Sequence, residues 1–205
     1  YLNIKADPSW LARTILSSPE THGHPFGQCQ PTGRKILIEH TSANPNGPFH
    51  VGRARNAILG DSLVRLHRLY GNEVRAEYYV DDMGKQVGVL AWALANLSSE
   101  EVEATLVGRE PLNPKWKGKA DHERVRWYQA AQVVRQERED KDDIEKEIGR
   151  MVHASEHGDQ QVLDDFEAAY TPVLEGMLTT LARLGINFDT FTKESIFVTN
   201  GDVGR

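Results

Sequence analysis

The densest chemistry in the chain lies between residues 35 and 62: Lys-Ile-Leu-Ile-Glu-His-Thr-Ser-Ala-Asn-Pro-Asn-Gly-Pro-Phe-His-Val-Gly-Arg-Ala-Arg-Asn-Ala-Ile-Leu-Gly-Asp-Ser. A carboxylate, Glu39, closes a short β-branched run. A corner follows in which Pro45 and Pro48 fix φ while Gly47 turns without a Cβ clash. His50 and Gly52 then open an amphipathic stretch. This order sets an imidazole and the amides of a helix N-terminus at the carboxyl end of a strand. Helix-start donors and dipole favour an anion such as phosphate, and ligands of open α/β sheets bind beyond the strands' carboxyl ends. His50 has a donor for a phosphate oxygen, and Arg53 adds a forked permanent cation. Gly52 costs its helix about 1 kcal/mol relative to alanine, which fits a flat group such as an adenine ring packed on the backbone. His-x-Gly alone fits an ordinary helix start better than a ligand site. The whole strand, corner and helix together favour a nucleotide site.

The elements that position these residues read as an α/β pattern. Ile36-Leu37-Ile38 suits a buried parallel strand. Helical spacing runs through Val51, Ala54, Ile58, Leu59, Leu63, Leu66 and Leu69, with Gly71 as stop. A second strand spans Glu73 to Val80, broken by Asp81-Asp82-Met83-Gly84, and a second helix spans Val87 to Leu97. Strand, helix, strand, helix implies a parallel sheet with crossover helices. Before it, Tyr1 to Lys5 alternates like a strand, Asp7-Pro8 caps a short helix, and residues 18–34 form a Pro/Gly-rich linker. After it, residues 111–120 are a loop and 121–157 are helical. Eleven of the 13 residues from Arg135 to Glu147 are charged, which marks a solvated helix or turn. Residues 159–184 form a longer amphipathic helix, kinked by Pro172 and ended by Gly185. Ile186-Asn187-Phe188 enters a third strand or an extended segment. The expected units are 1–33, the end of a preceding unit with its linker; 34–97, the first half of a Rossmann-type domain; 98–157, a helical insertion; and 158–205, a return to the first domain. Tyr1 at one end and Val203-Gly204-Arg205 at the other read as cuts through a longer protein.

Composition narrows the partners. With 205 residues, 39% hydrophobic, the chain can bury a core. Its net charge of −6 argues against a generally basic nucleic-acid surface, though Arg53, Arg55, Arg65 and Arg68 could form a local patch. The single Cys29 reads as an incidental thiol in the linker and fits a reducing cytoplasm. No apolar run reaches the ~20 residues needed to span a bilayer, so no membrane partner is expected. No metal-ligand spacing is evident.

The stretch from Glu39 to Asp61 resembles the signature region of class I aminoacyl-tRNA synthetases, specifically arginyl-tRNA synthetases of archaeal or bacterial type. Tyr79-Val80-Asp81-Asp82-Met83-Gly84-Lys85-Gln86 resembles the family's next landmark. Leu184-Gly185-Ile186-Asn187-Phe188-Asp189 with Lys193-Glu194-Ser195 is similar to the segment closing the first half of its catalytic domain. The resemblance covers residues 34–98 and 160–197. It implies a Rossmann-type parallel sheet, incomplete here, with a helical insertion, in a cytoplasmic enzyme. The activity it implies is ATP-dependent activation of arginine and transfer to tRNA-Arg, with Mg2+ accompanying ATP. Asn44, Pro45, Gly47, Pro48, His50, Gly52 and Arg53 would then face ATP, with His50 and Arg53 catalytic. Glu39, Ser42, Asn44, Asp82 and Gln86 would hold arginine, whose guanidinium suits a strand-end carboxylate. On the residues alone, Glu39 also reads as a surface acid, and Asp81 and Asp82 as turn formers. The family pattern is His-x-Gly-His, and Arg53 departs from it. The second, lysine-rich signature loop and the anticodon-binding helices are absent from these 205 residues, so the segment by itself is expected to be incomplete for adenylation. The rival reading is a catalytically silent synthetase-like module that binds nucleotide or a protein partner.

Overall fold

The computed structural model of the chain describes residues 5–22 and 28–202, the side chains of 17–22 excepted. Its sheet has three strands, β1 (Lys35–Glu39), β2 (Glu73–Val80) and β3 (Thr190–Lys193), in the order β1-β2-β3 and parallel throughout. Ile36 lies opposite Val74 and Glu39 opposite Glu77; Glu77 in turn pairs with Thr190 and Val80 with Lys193. Helix α1 (Pro8–His22) precedes the sheet. Helix α2 (Val51–Leu69) crosses from β1 to β2. The return from β2 to β3 runs through α3 (Lys85–Asn96), α4 (Ser99–Thr105), α5 (Ala120–Glu137), α6 (Lys141–Glu156) and α7 (Gln160–Ala182). Helix α8 (Ser195–Thr199) follows β3.

The periodicity located α2 but not its buried face. The residues that pack down are the small ones, Ala57 and Gly60, with Val64, while Ile58, Leu59, Leu63 and Leu66 are exposed. Small residues win because the helix lies close on the end of β1: a Cβ on Gly60 would sit 2.2 Å from the His40 ring. Strand β1 differs from expectation in the same way. It alternates between exposed and half-buried, with Leu37 open, because among the described residues it is an edge strand with one face uncovered. Helix α2 stops at Leu69 as read. Gly71 has φ of +89°, and a Cβ there would meet the Gln30 carbonyl at 2.2 Å, so the turn requires glycine twice over.

The core lies between β2 and the helices. Tyr78, Val80, Val87, Leu90, Phe166, Tyr170, Val173, Met177 and Leu181 form one cluster. A second cluster joins α3 to α4, α5 and α6 through Trp92, Val102, Ala130, Val134, Ile144 and Ile148. The charged stretch after Arg135 is a corner. Helix α5 ends at Glu137; the guanidinium of the next residue, Arg138, holds Asp140 at 2.9 and 2.7 Å, and α6 then starts. Glu145 takes Arg135 and Lys85 as ion-pair partners, so part of this run ties α6 to α3 and α5 instead of facing water alone.

Pro172 sits inside α7, which runs without a break. A proline cannot donate to the carbonyl four residues back, here Ala168. Arg124 of α5 supplies that donor: its Nη1 reaches Ala168 O and Ala169 O, each at 2.7 Å. The expected linker over 18–34 is shorter than read, since α1 continues through Pro19 to His22. Gly23, Pro25 and Gly27 of that linker, like the strand expected over Tyr1 to Lys5 in its first four residues, lie outside the described residues. The third strand begins at Thr190 and not at Ile186. Asp189 first closes the sheet end, its backbone N–H donating to Ala76 O at 2.9 Å and its carboxylate accepting from Ala76 N at 2.7 Å.

Candidate active site

Between β1 and α2 the backbone is strained, then stapled. Thr41 and Ser42 have φ of +82° and +35°, a region that costs a side-chain-bearing residue about 1–3 kcal/mol. Local bonds hold them there. Thr41 Oγ1 lies 2.8 Å from His40 Nδ1, and Ser42 Oγ donates to Tyr79 O at 3.0 Å. The Tyr78 hydroxyl donates to Ala43 O at 2.7 Å and accepts from Ala43 N at 3.0 Å. Burial pushes that phenol's pKa up to about 12, so it stays protonated and keeps both bonds. Pro45 and Gly47 are buried, and a Cβ on Gly47 would come within 2.7 Å of Val125 on α5. These two residues shape the corner from behind, with Pro48 half-buried beside them.

His50 caps α2 itself. Its backbone is extended and its Nδ1 accepts from Gly52 N at 3.2 Å. With Nδ1 accepting, the neutral ring carries its proton on Nε2, and the residue is exposed. What lies against Gly52 is this same imidazole, since a Cβ there would sit 3.0 Å from His50 Cε1. The helix start therefore offers fewer open donors than its sequence promised. The Gly52 amide is taken by the ring, and the Arg53 amide donates to His50 O at 2.9 Å. Three anion-seeking features remain at this corner: the Val51 N–H, the His50 Nε2–H and the positive end of the α2 dipole.

Several expected ligand groups are tied into the protein. Arg53 turns back onto the corner, with Nη1 donating to Asn44 O at 3.0 Å and Nη2 lying 3.5 Å from Asn46 Oδ1. Asn44 Nδ2 donates to Asp81 Oδ2 at 3.1 Å, and Asn46 Nδ2 to Gln86 Oε1 at 2.5 Å. Asp82 is buried and spends both carboxylate oxygens on Ser195, accepting from its N at 2.9 Å and its Oγ at 2.7 Å. From the turn between β2 and α3 it reaches across to the start of α8. Asp81 closes its own turn through Gly84 N at 3.0 Å. Further along α2, Arg65 is engaged with Asp61 and Gly185 O and Arg68 with Asp189 and Val74 O, while Arg55 is exposed and makes no hydrogen bond or ion pair among the described residues. Of the four arginines that could have formed a local patch, Arg53, Arg65 and Arg68 are bonded within the chain and Arg55 is left open.

The carboxyl end of the sheet is acidic. Burial and then the charges of Glu194, Asp81, Asp82 and Glu39 raise the Tyr79 pKa. Burial together with Asp81, Asp82 and Glu156 raises that of Glu194. Glu39 itself is exposed. The structure thus brings Glu39, Ser42, Asn44, His50, Gly52, Arg53 and Gln86 to one end of the sheet with Asp81, and sets Asp82 behind them. Sequence reasoning missed the Tyr78 hydroxyl, Ser195 and Glu194. An alternating strand such as Glu-Val-Arg-Ala-Glu-Tyr-Tyr-Val shows which side chains are inward, but not what a buried hydroxyl bonds to.

Comparison with known proteins agrees with this fold. A family model described as tRNA synthetases class I (R), catalytic domain, matches residues 18–200. The chain is 38% identical to an arginine–tRNA ligase of Methanocella arvoryzae, aligned over 100% of the chain and 34% of that protein. It is 36% identical to an arginine–tRNA ligase of Methanococcoides burtonii, over 100% of the chain and 33% of that protein. Among solved structures, Thermus thermophilus arginyl-tRNA synthetase superposes with a TM-score of 0.67 at 25% identity, covering 97% of the chain and 29% of that structure. The chain therefore spans about a third of the length of the curated relatives it matches.

Proposed function

Since the chain belongs to the family of class I tRNA synthetases (R), catalytic domain, we propose that the protein carrying it activates arginine with ATP and transfers it to tRNA-Arg in the cytoplasm. In activation a carboxylate oxygen of arginine attacks the α-phosphorus, the bond to the bridging oxygen breaks, and pyrophosphate leaves. The exposed His50 Nε2–H at the start of α2 donates to the phosphate oxygens as charge builds on them. Such donors, fixed in advance, are usually the largest catalytic contribution. Gly52 and the corner residues Pro45, Gly47 and Pro48 set where that imidazole stands. Glu39 and the acidic sheet end, with Ser42, Asn44 and Gln86 nearby, attract and orient the cationic amino acid. Asp82 supports this end through Ser195. Among the described residues no group of three or more His, Cys, Asp or Glu is arranged to hold a metal ion, and Mg2+ enters this reading with the nucleotide. No described helix is long and apolar enough to cross a membrane.

The observation that carries the proposal is His50: a self-capped imidazole, exposed at the carboxyl end of β1, with its outer nitrogen as donor. The experiment is arginine-dependent exchange of pyrophosphate into ATP by the intact enzyme containing this chain. His50→Ala lowers the exchange rate at least ~10-fold, about 1.4 kcal/mol of transition-state stabilisation. An unchanged rate removes His50 from the reaction. Absence of exchange by the unsubstituted enzyme removes the activity, and exchange as fast with lysine or citrulline as with arginine removes the arginine specificity.

A further inference from the structure

We propose that Arg53 is a positioning residue: it acts by bracing the 43–46 corner against α2, and does not serve as a phosphate ligand. The guanidinium spans two acceptors on that corner, Asn44 O at 3.0 Å and Asn46 Oδ1 at 3.5 Å. Each of those asparagines passes the connection on, Asn44 to Asp81 and Asn46 to Gln86. Asp81 in turn holds Gly84 N. The first turn of α2, the corner and the turn that starts α3 are therefore one hydrogen-bonded unit with Arg53 at its head.

The choice of residue follows from this. A cation in the first turn of a helix opposes the dipole, so its place there needs an offsetting interaction. The two carbonyl oxygens provide one, and reaching both takes a planar fork. A lysine ammonium matches the charge but not the span. The Tyr78 hydroxyl holds Ala43 from the sheet side, and Arg53 holds the next residue from the helix side. Between them they fix the strained Thr41–Ser42 segment and with it the Asn44 side chain.

Arg53→Lys and Arg53→Met separate the two roles. A brace fails in both, because both lose the fork. A phosphate ligand survives largely in lysine and fails in methionine. The first readout is hydrogen exchange of the 205-residue chain at the Ala43 and Asn46 amides, which donate to Tyr78 Oη and Asn44 O. Both variants exchange there at least 10-fold faster than the unsubstituted chain, while Leu90 in the core keeps its protection. This arm does not depend on the proposed activity. The second readout rests on that activity and uses the intact enzyme: both variants raise KM for arginine at least 5-fold, with a smaller change in kcat. Lysine behaving as the unsubstituted protein while methionine fails overturns the proposal, as does unchanged exchange at Ala43 and Asn46 in both. An enzyme inactive before substitution discredits the proposed function and leaves the exchange arm to decide the brace.

Discussion

Removing one oxygen atom, in Tyr78→Phe, tests whether the corner's geometry is stored in the sheet. The ring is fully buried and meets Phe188 edge-on at 5.0 Å, a contact phenylalanine retains. What disappears is the hydroxyl that satisfies both the N–H and the C=O of Ala43, itself only 7% exposed. Leaving a buried polar group without a partner costs about 1–3 kcal/mol. Two such groups on one residue, partly relieved by loop adjustment, come to about 2–4 kcal/mol. In urea, with a slope of about 2–3 kcal/mol/M, the midpoint falls by about 1 M. If the corner instead peels away locally, the midpoint moves less, and the Ala43 amide exchanges faster by about the same free energy. Denaturant titration and site-resolved hydrogen exchange on the same variant capture both routes. A midpoint within 0.2 M of the original, as an order-of-magnitude bound from the same slope, together with unchanged Ala43 exchange, would show that the hydroxyl does not hold the corner.

Other consequences follow from the same packing. Arg124→Met destabilises the chain by about 1–2 kcal/mol through the carbonyls it leaves at Ala168 and Ala169. Pro172→Ala restores a donor for Ala168, so the cost of Arg124→Met shrinks in that background; equal costs in a double-mutant cycle would refute the link. His40 titrates below its ordinary value because burial disfavours its charged form, an effect larger than the opposing pull of Asp61. Its ring lies against Gly60 and Phe188 with Nε2 buried and unpartnered. The unfolded chain therefore takes up this proton first as pH falls, and stability declines below about pH 6.5 until the folded value is passed. His40→Phe, measured by urea titration between pH 7.5 and 5, flattens that decline; an unaltered slope would contradict the assignment.

The sequence made the order of elements legible because proline, glycine and apolar spacing act locally. Asp7-Pro8 does start α1, Gly71 does follow α2, and Gly185 does follow α7. It misjudged which faces are covered, since burial of Leu37 or Leu63 depends on what lies beside β1 and α2, and spacing alone cannot report that. At the site, the strand–corner–helix order placed His50 and Glu39 correctly at the sheet end. It could not show that Arg53 bonds to Asn44 and Asn46 and Asp82 to Ser195, because those partners are set by how the chain folds back on itself, up to 113 positions away. The same limit hid Arg124, whose partners lie 44 and 45 residues away. Family resemblance identified the likeness, and only the folded chain showed which arginines and carboxylates remain available.

The proposed contact between the His50-led start of α2 and the phosphates of ATP has a direct test. Nitrogen-15 NMR of the 205-residue chain titrated with ATP addresses it directly, even for weak binding. The His50 ring resonances and the amides of residues 50–53 move most, and His50→Ala abolishes the movement. Saturating ATP that leaves these resonances in place, or shifts instead the groove lined by Lys35, Glu73 and Arg75 at the opposite end of the sheet, would contradict it.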